Sequence, residues 1–174
     1  MRRLRRIVLV SAAVVAAVAA TGLGMAYSLG LFAEAGRFSS VPGCGVLDPS
    51  VFAPVVTAAK VEADGDNCTA SDGSVQVNVG YTLVTKHGTV GGPQLASRYL
   101  TAVAGGDTEK LDGVGDQAIR QRTQAIGAPQ VISMRVSNLI VVLSVVNLGG
   151  GDLPAGAEEG LVKVAAALGT RLAG

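Results

Sequence analysis

Hydrophobic and polar positions follow three different rules along this chain. From Ile7 to Ala33 no residue is charged. From Ser74 to Val84 the two kinds alternate, with Val75, Val77, Val79, Tyr81 and Leu83 on one face and Gln76, Asn78, Gly80 and Thr82 on the other. Near the end, Leu161, Val164, Ala165, Leu168 and Leu172 recur at helical spacing. A membrane-length segment, a half-buried strand and an amphipathic helix are the elements these rules predict.

Local signals fill in the rest. Asp48 as N-cap and Pro49 at the first helical position, followed by Val51, Phe52, Val55 and Val56 on one face, predict a helix to about Ala59. Val61 and Ala63 suit a short strand entering an Asp-Gly-Asp-Asn turn. Pro93 opens a helix carrying Leu95, Ala96, Tyr99, Leu100 and Val103, and Gly105-Gly106 ends it. LDGVGDQAI, residues 111–119, reads as a glycine turn feeding a strand over 116–124. Val131 to Val136 forms another strand, Ser137-Asn138 makes a two-residue turn, and Leu139 to Val146 is apolar enough for a sheet centre buried on both faces. A glycine-rich loop then leads to the last helix, with Glu158 and Glu159 early and Arg171 late, as the helix dipole favours.

The order is helix, strand, strand, helix, three strands, helix. Consecutive hairpins and amphipathic helices predict an α+β fold, a mainly antiparallel sheet with helices packed on it, preceded by one N-terminal transmembrane helix. The organisation expected is a basic cytoplasmic terminus (1–6), a transmembrane anchor or signal segment (7–33), a linker (34–47) and an extracytoplasmic domain (48–174). The loops at 85–92 and 147–155 are expected to form its variable rim.

Charge orients this arrangement. About 27 helical residues span roughly 40 Å, more than a hydrocarbon core needs, and Arg2, Arg3, Arg5 and Arg6 should hold the preceding end in the cytoplasm. Small-x-small sites at Ala17-Val18-Ala19 and Ala33-Glu34-Ala35 leave signal cleavage open as the alternative, in which case the domain is secreted. Setting aside those arginines from the 14 basic residues, and Glu34 from the 13 acidic ones, leaves ten basic against twelve acidic from Gly36 onward. A mildly acidic domain lacks the positive field that nucleic acid demands.

Composition enters chiefly through cysteine. Only Cys44 and Cys68 occur. Cys44 lies too far beyond the apolar run for lipid attachment, and two thiolates do not complete a zinc site. In an oxidising exterior an even pair predicts a disulfide between Cys44 and Cys68. The one histidine, His87, suits a surface turn and has no G-x-S-x-G nucleophile motif near it. Asp64, Asp66 and Asp72 lack the ligand spacing of a calcium loop, and DGVGD and GGG lack the Lys-Ser/Thr of a phosphate-binding loop. No catalytic residue, cofactor or metal ligand is therefore assigned. The one candidate ligand patch is an anion site of Arg120, Arg122 and Arg135, which would lie together if the strands over 116–124 and 131–136 pair side by side.

CGVLDPS at 44–50, a Cys-Thr step at 68–69 before an alternating strand, LDGVGDQA at 111–118 and the hairpin MRVSNLIV at 134–141 together resemble the actinobacterial exported proteins and lipoproteins with domain of unknown function 3558. The resemblance covers roughly residues 42–172 and implies an exported α+β domain, often lipid-anchored, with no established activity. The chain departs from that pattern in two places. No lipid-attachment cysteine follows the apolar run, which favours a protein anchor, and Thr69-Ala70 stands where a tryptophan is expected. The function expected is that of a non-catalytic envelope module that binds an envelope protein or ligand, the alternative being a cell-envelope enzyme.

Overall fold

Antiparallel pairing organises everything beyond residue 60 in the computed structural model, which describes residues 33–65, 67–105, 107–121 and 128–174. Seven strands run in chain order: β1 Lys60–Asp64, β2 Asn67–Ser71, β3 Val75–Leu83, β4 Thr108–Leu111, β5 Gln117–Gln121, β6 Gln130–Val136 and β7 Leu139–Asn147. They form one sheet in the order β1-β2-β3-β7-β6-β5-β4, and each neighbouring pair is antiparallel. Two helices, α1 Gly92–Val103 and α2 Ala157–Ala173, lie on it. The predicted α+β class is therefore observed for the described residues, while the apolar run lies outside them except for Ala33.

The strict alternation of β3 produces its half-burial: Val75, Val77, Val79 and Tyr81 are buried and the residues between them are not. They share a face with Leu139, Val141, Leu143 and Val145 of β7 and with Ile132 and Met134 of β6. α2 covers this face with Leu161, Val164, Ala165, Leu168 and Leu172, the stripe read from its spacing. Each such aliphatic side chain contributes about 1.5–3 kcal/mol by leaving water. Tyr81 pays its hydroxyl into the same core, where no described group bonds to it and burial pushes the phenol up to about 12.

Among the described residues, the second face is covered only in part. α1 sets Ala96 and Leu100 against Ile140 of β7, with Val84 beside them, and the Ser97 hydroxyl donates to Gln117 Oε1 of β5 at 2.8 Å. Farther along β7, Val142 is 37% exposed and Ser144 and Val146 are half-buried. β7 is indeed the fourth of seven strands, but it is buried on both faces only where α1 lies over it.

Three expectations are corrected. The helix expected from Pro49 stops after one 3-10 turn, Pro49–Phe52, although Asp48 caps it by accepting from Ser50 N at 2.9 Å. Pro54 is the reason: it has no N–H to donate, and its ring in a continuing helix would meet the Ser50 carbonyl. The chain instead turns along α2, where a Cβ at Gly160 would lie 2.4 Å from the Pro54 carbonyl oxygen. β2 and β4 add two strands to the five expected.

The third correction concerns residues 34–47, which are docked rather than a free linker. Gly92 N donates to the Glu34 carbonyl at 2.9 Å, and Phe38 and Val41 pack on the main core, where Leu47 is buried. Asn138 in the β6–β7 turn organises this docking. Its Oδ1 accepts from Phe38 N at 2.9 Å, and its Nδ2 donates to the carbonyls of Phe38 at 2.9 Å and Val84 at 3.2 Å. Gly36, at φ +102°, passes so close to the Asn138 side chain that a Cβ there would overlap it. Arg37 completes the contact. Its backbone N–H donates to Ser137 Oγ, and its guanidinium donates to the carbonyls of Leu172 at 3.2 Å and Ala173 at 2.6 Å, at the C-terminus of α2.

Candidate functional site

Strand direction gives the sheet two ends. β3 finishes and β7 begins at the end that holds the β6–β7 turn, the start of α1 and Glu34. The β2–β3 turn, the 147–156 loop and the start of α2 lie at the other. The loops at 85–92 and 147–155 therefore occupy opposite ends and do not make one rim.

The half of the second face that no described element covers is the candidate site. Across it the register aligns Thr69, Asn78 and Ser144 in one row, with Asn67, Gly80 and Val142 in the row beside it. Gln76 Nε2 donates to Asn78 Oδ1 at 2.6 Å, and Asn78 Nδ2 donates to Ser144 Oγ at 3.3 Å, so amides and hydroxyls link β3 to β7 in a short ladder. Toward β1 the face opens into a cleft of about 500 Å³ lined by Lys60, Glu62, Thr69, Ser71, Asp72 and Gln76. Asp72 is held by the turn it closes: its carboxylate accepts from Val75 N, Ser74 N and Ser74 Oγ, which lowers its pKa to about 2. A surface of amides, hydroxyls and an exposed valine, flanked by Lys60, Glu62 and Asp72, both donates and accepts hydrogen bonds and has no one-sided positive field. It suits an uncharged partner better than a polyanion.

The expected arginine patch is not brought together. β5 and β6 do pair, but with Arg120 opposite Ile132 and Gln117 opposite Arg135, so Arg120 and Arg135 project from opposite faces. Each has an acidic partner. Arg120 Nε donates to Glu109 across β4–β5 at 3.2 Å, while Arg135 Nη1 reaches Asp116 Oδ2 and the Ser137 carbonyl, both at 3.0 Å. Arg122 lies outside the described residues. Arg135 instead borders a second cleft, of about 460 Å³, beside the glycine turn, with Ser97, Lys110, Asp112, Asp116 and Gln117. The turn itself closes by Asp116 N donating to the Arg135 carbonyl at 2.8 Å.

Cys44 and Cys68 form a disulfide, with Cα atoms 5.6 Å apart, joining the 3-10 turn Cys44–Val46 to β2. Cys44 is thereby a staple and not a lipid-attachment point. His87 is exposed in a bridge with Val90, at the far end of the sheet from the first cleft. Asp64 and Asp72 stand at opposite ends of β2, and Asp66 is not described. Among the described residues no three His, Cys, Asp or Glu side chains group as metal ligands. Comparison of the chain with protein-family models, with curated proteins and with solved structures finds no match.

The sequence signal for the candidate face was present in Gln76 and Asn78, the polar partners of the β3 alternation. Ser144 was hidden in an apolar run, and only the register places it beside Asn78.

Proposed function

We propose that the protein is a membrane-tethered, extracytoplasmic binding module of the cell envelope, without catalysis of its own, which presents the open half of its sheet to an uncharged envelope protein or ligand. The observation that carries the export is the Cys44–Cys68 disulfide, since such bonds persist in oxidising compartments and are rare in the cytosol. The four arginines ahead of the apolar run support a cytoplasmic N-terminus with the domain outside. The resemblance to the family with domain of unknown function 3558 points the same way. The partner face is supported by the Gln76, Asn78 and Ser144 ladder beside exposed Val142, where side chains are linked by hydrogen bonds and no described element covers them.

Photo-crosslinking in cells tests the reading. A photoreactive residue at Ser144 should yield discrete adducts, and one at Lys163, exposed on α2, should not. Adducts of the same kind from both positions, or from neither, would remove the open face as the binding surface. N-terminal sequencing of the membrane fraction separates tethering from release: a start near Met1 supports the anchor, and a start after residue 19 or 35 shows a cleaved, secreted domain.

A further inference from the structure

A flexible Gly/Ser-rich spacer between a membrane anchor and its domain would leave that domain free to tumble. Here the charge-free run ends at Ala33, and the very next residue is already bonded to the fold through Gly92 N and the Glu34 carbonyl. The contact is tight as well as polar, since a Cβ at Gly91 would lie 2.8 Å from the Glu34 carbonyl oxygen. Arg37 and Phe38 continue it onto the C-terminus of α2 and onto Asn138. Five residues thus hold the chain to one end of the sheet before any loop intervenes. Resting on the reading that the apolar run stays in the bilayer, we propose that this end, with the β6–β7 turn and the exposed loop over 85–89, is seated on the lipid headgroups.

The occupant of that surface follows from where the undescribed chain stops. The apolar run exceeds the ~20 residues a hydrocarbon core needs by about seven, so a helix running to residue 33 can lift the β6–β7 turn from the interface by no more than about 10 Å, well short of the length of the sheet. Charges at this end have both signs, with Lys86 and Arg37 against Glu34 and Asp112, so the tether rather than lipid charge sets the seating. Nine residues of β3 at about 3.3 Å each make the sheet about 30 Å long. The 147–156 loop and the cleft by Asp72 therefore stand far above the bilayer, and the open face rises side-on between the two ends. A partner reaches that face laterally and the 147–156 loop from above, while the 85–92 loop is withheld from it.

Depth quenching on the full-length protein in phosphatidylcholine liposomes tests this. Single cysteines at exposed positions, Lys86→Cys and Ala155→Cys, are labelled with a fluorophore while the native disulfide stays intact, and headgroup-spin-labelled lipid is added. The expected result is strong quenching at position 86 and little at 155, several-fold apart. Inserting ten Gly/Ser residues between Ala33 and Glu34 should abolish the contrast without changing the fold. Equal quenching at the two positions without the insertion, or a contrast that survives it, overturns the seating. A chain that fails to float with the liposomes instead overturns the anchoring itself, so the two failures are told apart.

Discussion

Asn138 does the work of a core residue from within a turn. Its amide satisfies three backbone groups on two segments that are distant in sequence, and it is only 1% exposed. Truncation to alanine strands those groups in the interior, at about 1–3 kcal/mol for each one left unpaired. Asn138→Ala should therefore lower unfolding free energy by about 3 kcal/mol or more, measured by urea titration; a change below about 0.5 kcal/mol would mean that the 34–38 segment is not held this way. Asp72 supplies a pH dependence. Its folded pKa, about 2, lies below the ordinary 3.8, so its contribution is present above pH 4 and is lost as pH falls toward 2. Wild type and Asp72→Ala should accordingly differ in melting temperature at pH 6 and converge near pH 2, and a constant gap would contradict that assignment. From sequence, Asn138 was legible only as a turn former, because burial of a turn depends on what packs over it. Arg120 and Arg135 fail to share a face for a similar reason: the sequence pattern places them on neighbouring strands, but a register offset of one residue decides which face each takes.

At the scale of elements, legibility followed the strength of the pattern. β3 and α2 carry long, strongly apolar periodicities and β7 a long apolar run, and all three form where they are expected. β2 keeps its alternation with Cys68 and Ala70, whose small side chains give little hydrophobic signal. β4 is four residues of an edge strand, Thr-Glu-Lys-Leu, and charged residues on a short edge discourage further pairing. Neither strand is visible until its partner is in place. β7 shows the converse limit, because an apolar run does not reveal which of its side chains will be covered. Val142→Ser should alter stability by no more than about 0.5 kcal/mol, while its neighbour Leu143→Ala, fully buried under α2, should cost about 2–5 kcal/mol. Chemical denaturation of the two variants checks this, and comparable losses would mean that the second face is covered over β7.

For the molecule as a whole, the disulfide ties the entering segment to the sheet after the docked residues 34–38 have already fixed it at one end. Closing the 24-residue separation is worth about 3–4 kcal/mol in the chain-entropy description. The double variant Cys44→Ser, Cys68→Ser should lose about that much, read as a lower urea midpoint at unchanged slope. Its partner face should remain competent for crosslinking under conditions where the variant is folded, because the bond lies outside the Gln76, Asn78 and Ser144 ladder. The central claim is that this globular unit resides in oxidising surroundings outside the membrane, and thiol labelling in intact cells tests it most directly. Polyethylene-glycol maleimide added to cells lysed in denaturant should shift the protein only after reduction, and protease added to unlysed cells should degrade the domain. Labelling of both cysteines without reductant, together with a domain protected from external protease, would contradict the account.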